Sequence, residues 1–128
     1  WKVGNGLEEA NCIRVFFLIE EQIHAHRDHF LQTYGVVPEF KAGVHTGEVI
    51  TAQIGELKSD IVYNGDVLNT TARIQALCNQ LGQKLLVSAE LIERLSLGPE
   101  YTVVELGDVS LHGKAEALKL CAVDRTDI

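Results

Sequence analysis

Ile61-Val62-Tyr63-Asn64-Gly65-Asp66-Val67-Leu68-Asn69-Thr70-Thr71-Ala72-Arg73-Ile74 is the stretch whose reading decides the fold. Its β-branched and aromatic opening, Ile61-Val62-Tyr63, suits a short strand. Asn64-Gly65-Asp66 is turn chemistry, and Asp66 is placed to cap the N-terminus of a helix. Apolar residues then fall at Leu68, Ala72, Ile74, Leu77 and Cys78, the three-to-four spacing of one buried helix face, until Gly82 stops the pattern.

Upstream, apolar positions at Ala10, Ile13, Phe16 or Phe17, Ile19, Ile23 and Phe30 or Leu31 predict a long helix over 7–33, ended by Gly35 and Pro38. Strands are expected over 40–44 and 49–54, with a tight Thr46-Gly47 corner between them and a loop over 55–59. Downstream, 84–87 reads as a strand, and Ser88 as the N-cap of a short helix over 89–95. Strands over 101–105 and 109–111, a His112-Gly113-Lys114 hairpin turn and a returning strand over 118–123 complete the order α β β β α β α β β. Several strands are joined by turns too short for a parallel crossover. The expectation is therefore one α+β domain over 1–128, with a mixed sheet and helices packed on one side.

Composition narrows the function. With 11 Lys plus Arg against 18 Asp plus Glu, the net charge is −7, and hydrophobic residues make up 46% of the 128 residues. That content is too apolar for a disordered chain. The acidic balance argues against nucleic acid as a partner, which calls for a basic face. The longest apolar run, Val15-Phe16-Phe17-Leu18-Ile19, is too short to span a bilayer and lacks signal-peptide flanks. Cys12, Cys78 and Cys121 lie far apart in apolar surroundings and read as buried, reduced thiols. The chain begins at Trp1 and contains no Met, so it is expected to be a piece of something longer, with room for a sensor or membrane segment upstream.

Three groups of residues carry candidate chemistry. His24, His26 and His29 could ligate a metal, but no acid or Cys completes a tetrahedral set at ligand spacing, and a solvated helix face explains them as well. Asn69 and Arg73 are four apart and so share one helix face just after a glycine turn. Arg supplies a planar fork of donors for phosphate oxygens, and Asn one donor and one acceptor for a sugar or nucleophile. Spacing alone also allows an exposed Asn and a surface Arg. Lys114 at a hairpin tip is either solvated or within reach of a polyphosphate.

Lys41-Ala42-Gly43-Val44-His45-Thr46-Gly47-Glu48-Val49 resembles the strand-and-turn signature of class III adenylate/guanylate cyclase catalytic domains. Gly65-Asp66-Val67-Leu68-Asn69-Thr70-Thr71-Ala72-Arg73-Ile74 resembles their Gly-Asp-x-x-Asn-x-x-x-Arg helix. Leu85-Leu86-Val87-Ser88 is similar to the next strand. Leu106-Gly107-Asp108-Val109-Ser110-Leu111-His112-Gly113-Lys114 is similar to the closing hairpin, usually Lys-Gly-Lys in the family. The blocks stand in the family's order across 40–123.

The resemblance implies a ferredoxin-like sheet, incomplete at its N-terminus. It implies an enzyme that converts a nucleoside triphosphate, ATP or GTP, into a 3′,5′-cyclic nucleotide and pyrophosphate for intracellular signalling. Two divalent cations, Mg or Mn, would be held by two Asp of one chain of a head-to-tail dimer, while the other chain supplies Asn69 for the ribose and Arg73 for the α-phosphate. Lys114 and His112 would face the triphosphate. Val62 occupies the base-reading position, where the family often has Asp or Thr, and cannot hydrogen-bond a purine edge. His112 replaces the first Lys of the hairpin and clamps phosphate only when protonated. Val3-Gly4-Asn5-Gly6 resembles the metal hairpin superficially, with Asn for Asp. Because 7–10 already starts the helix, Trp1-Lys2-Val3 is expected to end that strand, and both metal Asp are expected upstream of Trp1. The chain alone is then expected to be inactive and to expose a sheet edge that invites self-association. The location implied is cytoplasmic. The alternative is a non-catalytic cyclase-homology module for dimerisation or regulation.

Overall fold

A computed structural model describes residues 1–54, 60–111 and 117–126. The helical elements are α1 (Val3–Leu7), a 3-10 turn (Glu8–Ala10), α2 (Asn11–Ala25), α3 (Arg27–Tyr34), α4 (Asp66–Leu81) and α5 (Ala89–Arg94). The strands are β1 (Ala42–Val44), β2 (Ile50–Ile54), β3 (Asp60–Asn64), β4 (Leu85–Ser88), β5 (Tyr101–Ser110) and β6 (Ala117–Arg125). A four-stranded sheet runs in the order β1-β4-β6-β5, and β2 and β3 form a separate antiparallel pair. β1 and β4 are parallel, and the other two pairings of the larger sheet are antiparallel. The expected α+β class and mixed sheet are thus present.

The helices do not lie on one side. Neighbouring strand residues point to opposite faces, and β4 is buried at all four positions. Leu85 and Val87 pack with Ile13, Phe16 and Phe17 of α2, Leu91 of α5 and Val123. Leu86 packs with Ile74 and Cys78 of α4, Leu120 and Ala122. Helices therefore cover both faces of the sheet, and the one-sided layer expected from the sequence is replaced by two. Full burial of a side chain such as Leu85, Leu86 or Ile74 stabilises by about 1.5–3 kcal/mol, so β4 anchors both layers.

The other departures are local. Trp1-Lys2-Val3 ends no strand, because Val3 opens α1. The helix expected over 7–33 is broken twice. Glu9 and Ala10 take left-handed backbone, with φ of 51° and 53°, and turn the chain before α2. At His26 the ring Nδ1 donates to the Gln22 carbonyl at 2.9 Å, the same oxygen that the His26 backbone N–H reaches at 3.2 Å. That competition interrupts the helix between α2 and α3. β1 is shorter than expected, and Phe40 leaves the strand to stack on Phe16 with ring centroids 5.4 Å apart. The strands expected over 101–105 and 109–111 are one strand, β5, whose register against β6 shifts between Glu105 and Gly107. Gly107 has φ of 74°, so the glycine marks a bulge in the strand.

Ser88 caps α5 as expected, its hydroxyl accepting the Leu91 N–H at 3.4 Å. Asp66 does not cap α4. The N-cap is Gly65, with no side-chain cap, and Asp66 is the first helical residue. There it still favours the positive end of the helix dipole.

Candidate nucleotide site on helix α4

The site is built on α4, which buries Thr70, Ile74 and Cys78 along one stripe. Asn69 and Arg73 each precede a buried residue by one position, so they stand side by side on the rim of that stripe. Asn69 is exposed and Arg73 half-buried. Among the described residues no hydrogen bond or ion pair engages the Asn69 amide or the Arg73 guanidinium. Their donors are therefore available to a ligand.

Three close approaches fix where α4 sits. A Cβ on Gly43 of β1 would lie 2.6 Å from the Gln75 backbone nitrogen and 2.9 Å from its Cα, so the middle of α4 lies directly on the β1 backbone. The Cys78 thiol donates to the Ala42 carbonyl at 3.5 Å. A Cβ on Gly47 would meet Val67 Cγ2 at 2.8 Å, so the first turn of α4 rests on the turn after β1. Gly65 supplies the corner between β3 and α4 with φ of 154° and ψ of 156°, a region nearly reserved for glycine. Within the helix the Thr71 hydroxyl donates back to the Val67 carbonyl at 2.6 Å.

The other residues singled out from the sequence are placed less fully. Val62 lies on β3 opposite Ala52, three residues before the Gly65 corner. His112 and Lys114 lie outside the described residues, as does the hairpin turn expected there. Leu111 packs in the cluster of Ile74 and Cys78. Among the described residues no three His, Cys, Asp or Glu are grouped to hold a metal ion, and the donor set of a two-cation site is not found there. His24, His26 and His29 are exposed.

All three thiols are free. Burial pushes the Cys12, Cys78 and Cys121 thiols up from their ordinary value, and the Glu105 carboxylate pushes Cys121 further. They are neutral near pH 7 and poor as nucleophiles or metal ligands.

Sequence reasoning missed the seat of α4. Gly43 inside an expected strand was its available signal, since a strand glycine often marks a close backbone approach. It also missed the contact between His45 Nδ1 and the Ser88 hydroxyl, 2.7 Å apart.

Comparison with known proteins fits this geometry. Residues 14–122 match the adenylate and guanylate cyclase catalytic domain family, and the chain belongs to that family. It is 36% identical over 123 residues to adenylate cyclase 2 of Rhizobium meliloti (strain 1021), covering 96% of this chain and 34% of that protein. The photoactivated adenylate cyclase subunit beta of Euglena gracilis is 43% identical over 60 residues, which cover 47% of this chain and 7% of that protein. The chain thus spans about a third or less of these relatives. The adenylyl cyclase CyaB from P. aeruginosa superposes with a TM-score of 0.67 at 17% identity, over 88% of this chain and 57% of that one. A bacterial light-regulated adenylyl cyclase superposes with a TM-score of 0.53 at 29% identity, over 64% of this chain and 23% of that one. No described helix is long and apolar enough to cross a membrane.

Proposed function

We propose that this chain is the C-terminal part of a single nucleotidyl cyclase catalytic domain. Its parent forms a 3′,5′-cyclic nucleotide and pyrophosphate from ATP or GTP for intracellular signalling, in the cytoplasm. The observation that carries the reading is the strand–glycine–helix unit of β3, Gly65 and α4, which presents Asn69 and Arg73 side by side with their donors uncommitted.

In the reaction the ribose 3′-hydroxyl attacks the α-phosphorus in line and pyrophosphate leaves. Asn69 holds the ribose through its amide and so orients the attacking oxygen. Arg73 places its guanidinium against the α-phosphate, where charge builds in the transition state. Lys114 and His112 are the residues proposed to bind the triphosphate, and Val62 leaves base selection to other groups. The Mg or Mn pair of the complete domain does not fit the described residues of this chain. Its carboxylates are assigned upstream of Trp1, and the chain alone is inactive.

Surface shape supports a shared site. Cavities of about 310 and 470 Å³ occur beside α2 and β4, and neither is lined by Asn69 or Arg73. Asn69 is exposed and Arg73 half-buried on the rim of the helix, and a second copy of the domain is the proposed partner that encloses the nucleotide.

The test uses the full-length protein with ATP or GTP and Mn²⁺, reading cyclic nucleotide. Arg73→Ala and Asn69→Ala each lower kcat by roughly a hundredfold or more, the scale of removing one transition-state donor. A full-length protein that retains the upstream Asp pair and makes no cyclic nucleotide refutes the enzyme reading. The apolar Val62 and the His at 112 then favour the second reading, a non-catalytic cyclase-homology module for dimerisation or regulation.

A further inference from the structure

We propose that His45 is a positioning residue for Asn69 and Arg73, acting through the turn that follows β1. The inference rests on reading that pair as the nucleotide contact. β1 and β4 run parallel with Val44 opposite Val87, so His45 and Ser88 leave the sheet at the same end. There His45 Nδ1 lies 2.7 Å from the Ser88 hydroxyl. Ser88 is fully buried, at 0% exposure, and also accepts the Leu91 N–H. That leaves the hydroxyl proton and one lone pair for His45. The imidazole is thereby tied to β4, which is buried at all four positions.

The turn after His45 carries the first turn of α4. Val67 rests on Gly47, and a Cβ on Gly65 would lie 3.0 Å from the Glu48 carbonyl oxygen. Asn69 follows Val67 by two residues and Arg73 by six. A continuous line of contacts thus runs from Ser88 through His45 and Gly47 to Val67, and from there along a helix to the two site residues. Thr46 has its own tie, accepting from Arg94 Nη1 at 3.3 Å, but Arg94 is exposed and holds the turn less firmly than a buried hydroxyl. The effect of His45 on Asn69 and Arg73 runs through this line of contacts and is one of geometry. A displacement of about 1 Å at reacting groups costs up to roughly a hundredfold in rate.

Two near-isosteric substitutions separate the ring nitrogens. The amide of His45→Asn reaches the Nδ1 position and keeps a partner for Ser88, whereas the longer His45→Gln reaches the Nε2 position and does not. In the full-length protein, His45→Gln lowers kcat by roughly tenfold to a hundredfold with KM within threefold. Backbone amide exchange speeds up at 66–70 while 13–23 is unchanged. His45→Asn restores both readouts to within threefold of wild type. Ser88→Ala reproduces the His45→Gln loss, and the double variant is no worse than Ser88→Ala alone.

Unchanged exchange at 66–70 in His45→Gln overturns the proposal, as does failure of His45→Asn to rescue. Faster exchange with unchanged kcat in an active enzyme also overturns it and leaves the cyclase reading intact. If the wild-type protein makes no cyclic nucleotide, the cyclase reading fails by itself. The exchange measurement then still decides whether His45 holds α4.

Discussion

Replacing Gly43 by Ala perturbs the seat of α4 with a single methyl group. The new carbon would lie 2.6 Å from the Gln75 nitrogen, where ordinary contact begins near 3.4 Å. The obstacle is helix backbone, which cannot swing aside like a flexible side chain. α4 must retreat by about 0.8 Å, the difference between those two distances. That retreat loosens Ile74 and Cys78 from Leu86 and Leu120. Overpacking of this kind costs about 1–3 kcal/mol, and the stiffer unfolded chain of Ala returns about 0.4–1 kcal/mol at most. The net cost is up to about 2.6 kcal/mol, and at this chain length each kcal/mol lowers Tm by roughly 3–6 °C, so a fall of up to roughly 16 °C is expected. The same displacement carries Asn69 and Arg73, and kcat in the full-length protein falls by roughly tenfold to a hundredfold. The assays are a circular dichroism melt and a cyclic-nucleotide time course. Gly4→Ala is the control, because nothing lies within 4 Å of its Cβ position and Ala favours the helix. A Gly43→Ala protein with Tm within 1 °C of wild type and kcat within twofold refutes the argument that the glycine sets the helix position.

Gly65→Ala forces an L-residue into φ of 154° and is expected to cost about 1–3 kcal/mol. A urea titration should show a lower midpoint with the slope kept, and an unmoved midpoint would contradict the strain assigned to that corner. The buried thiols make stability pH-dependent on the alkaline side. Their folded values lie above the ordinary value of 9.0, so folding favours the protonated form. The stabilisation is complete below pH 9.0 and is lost as pH rises through the folded values. Melts between pH 7 and pH 10.5 should show this loss, reduced in Cys78→Ala compared at matched pH. In the native protein an aromatic disulfide reagent should modify half-buried Cys12 ahead of Cys78 and Cys121, and equal rates for all three would exclude the assigned burial.

The parts of the fold legible in the sequence are those set by local chemistry. Ile61 to Gly82 declared a strand, a glycine corner and an amphipathic helix, and Ser88 declared a cap. Those signals act within a few residues. The break at His26 was hidden because the helical spacing continues across it, while the cause is a ring nitrogen competing for the Gln22 carbonyl. The placement of helices on both faces had a faint signal in Leu85-Leu86-Val87-Ser88, which does not alternate polar with apolar. A run of that kind suits a strand covered on both sides. At the candidate site, the spacing of Asn69 and Arg73 was readable and their shared rim follows from it. The seat of α4 was not readable, because Gly43, Gly47 and His45 act across distances in sequence that periodicity does not cover. Val62 is placed by register only, and His112 and Lys114 fall outside the described residues.

The strand order also has a kinetic consequence. β5 and β6 join by a short connection, Ser110 pairing with Ala117, whereas β1 meets β4 only by bringing Ala42 to Leu85. Closing the second pairing carries the larger loop entropy, and distant parallel pairings form slowly. β2, β3 and α4 all lie inside that loop. The half of the molecule that bears Asn69 and Arg73 is thus expected to reach its final geometry last during folding, and a change that slows the β1–β4 closure should delay the site more than the β5–β6 hairpin, which pulsed amide exchange during refolding would check.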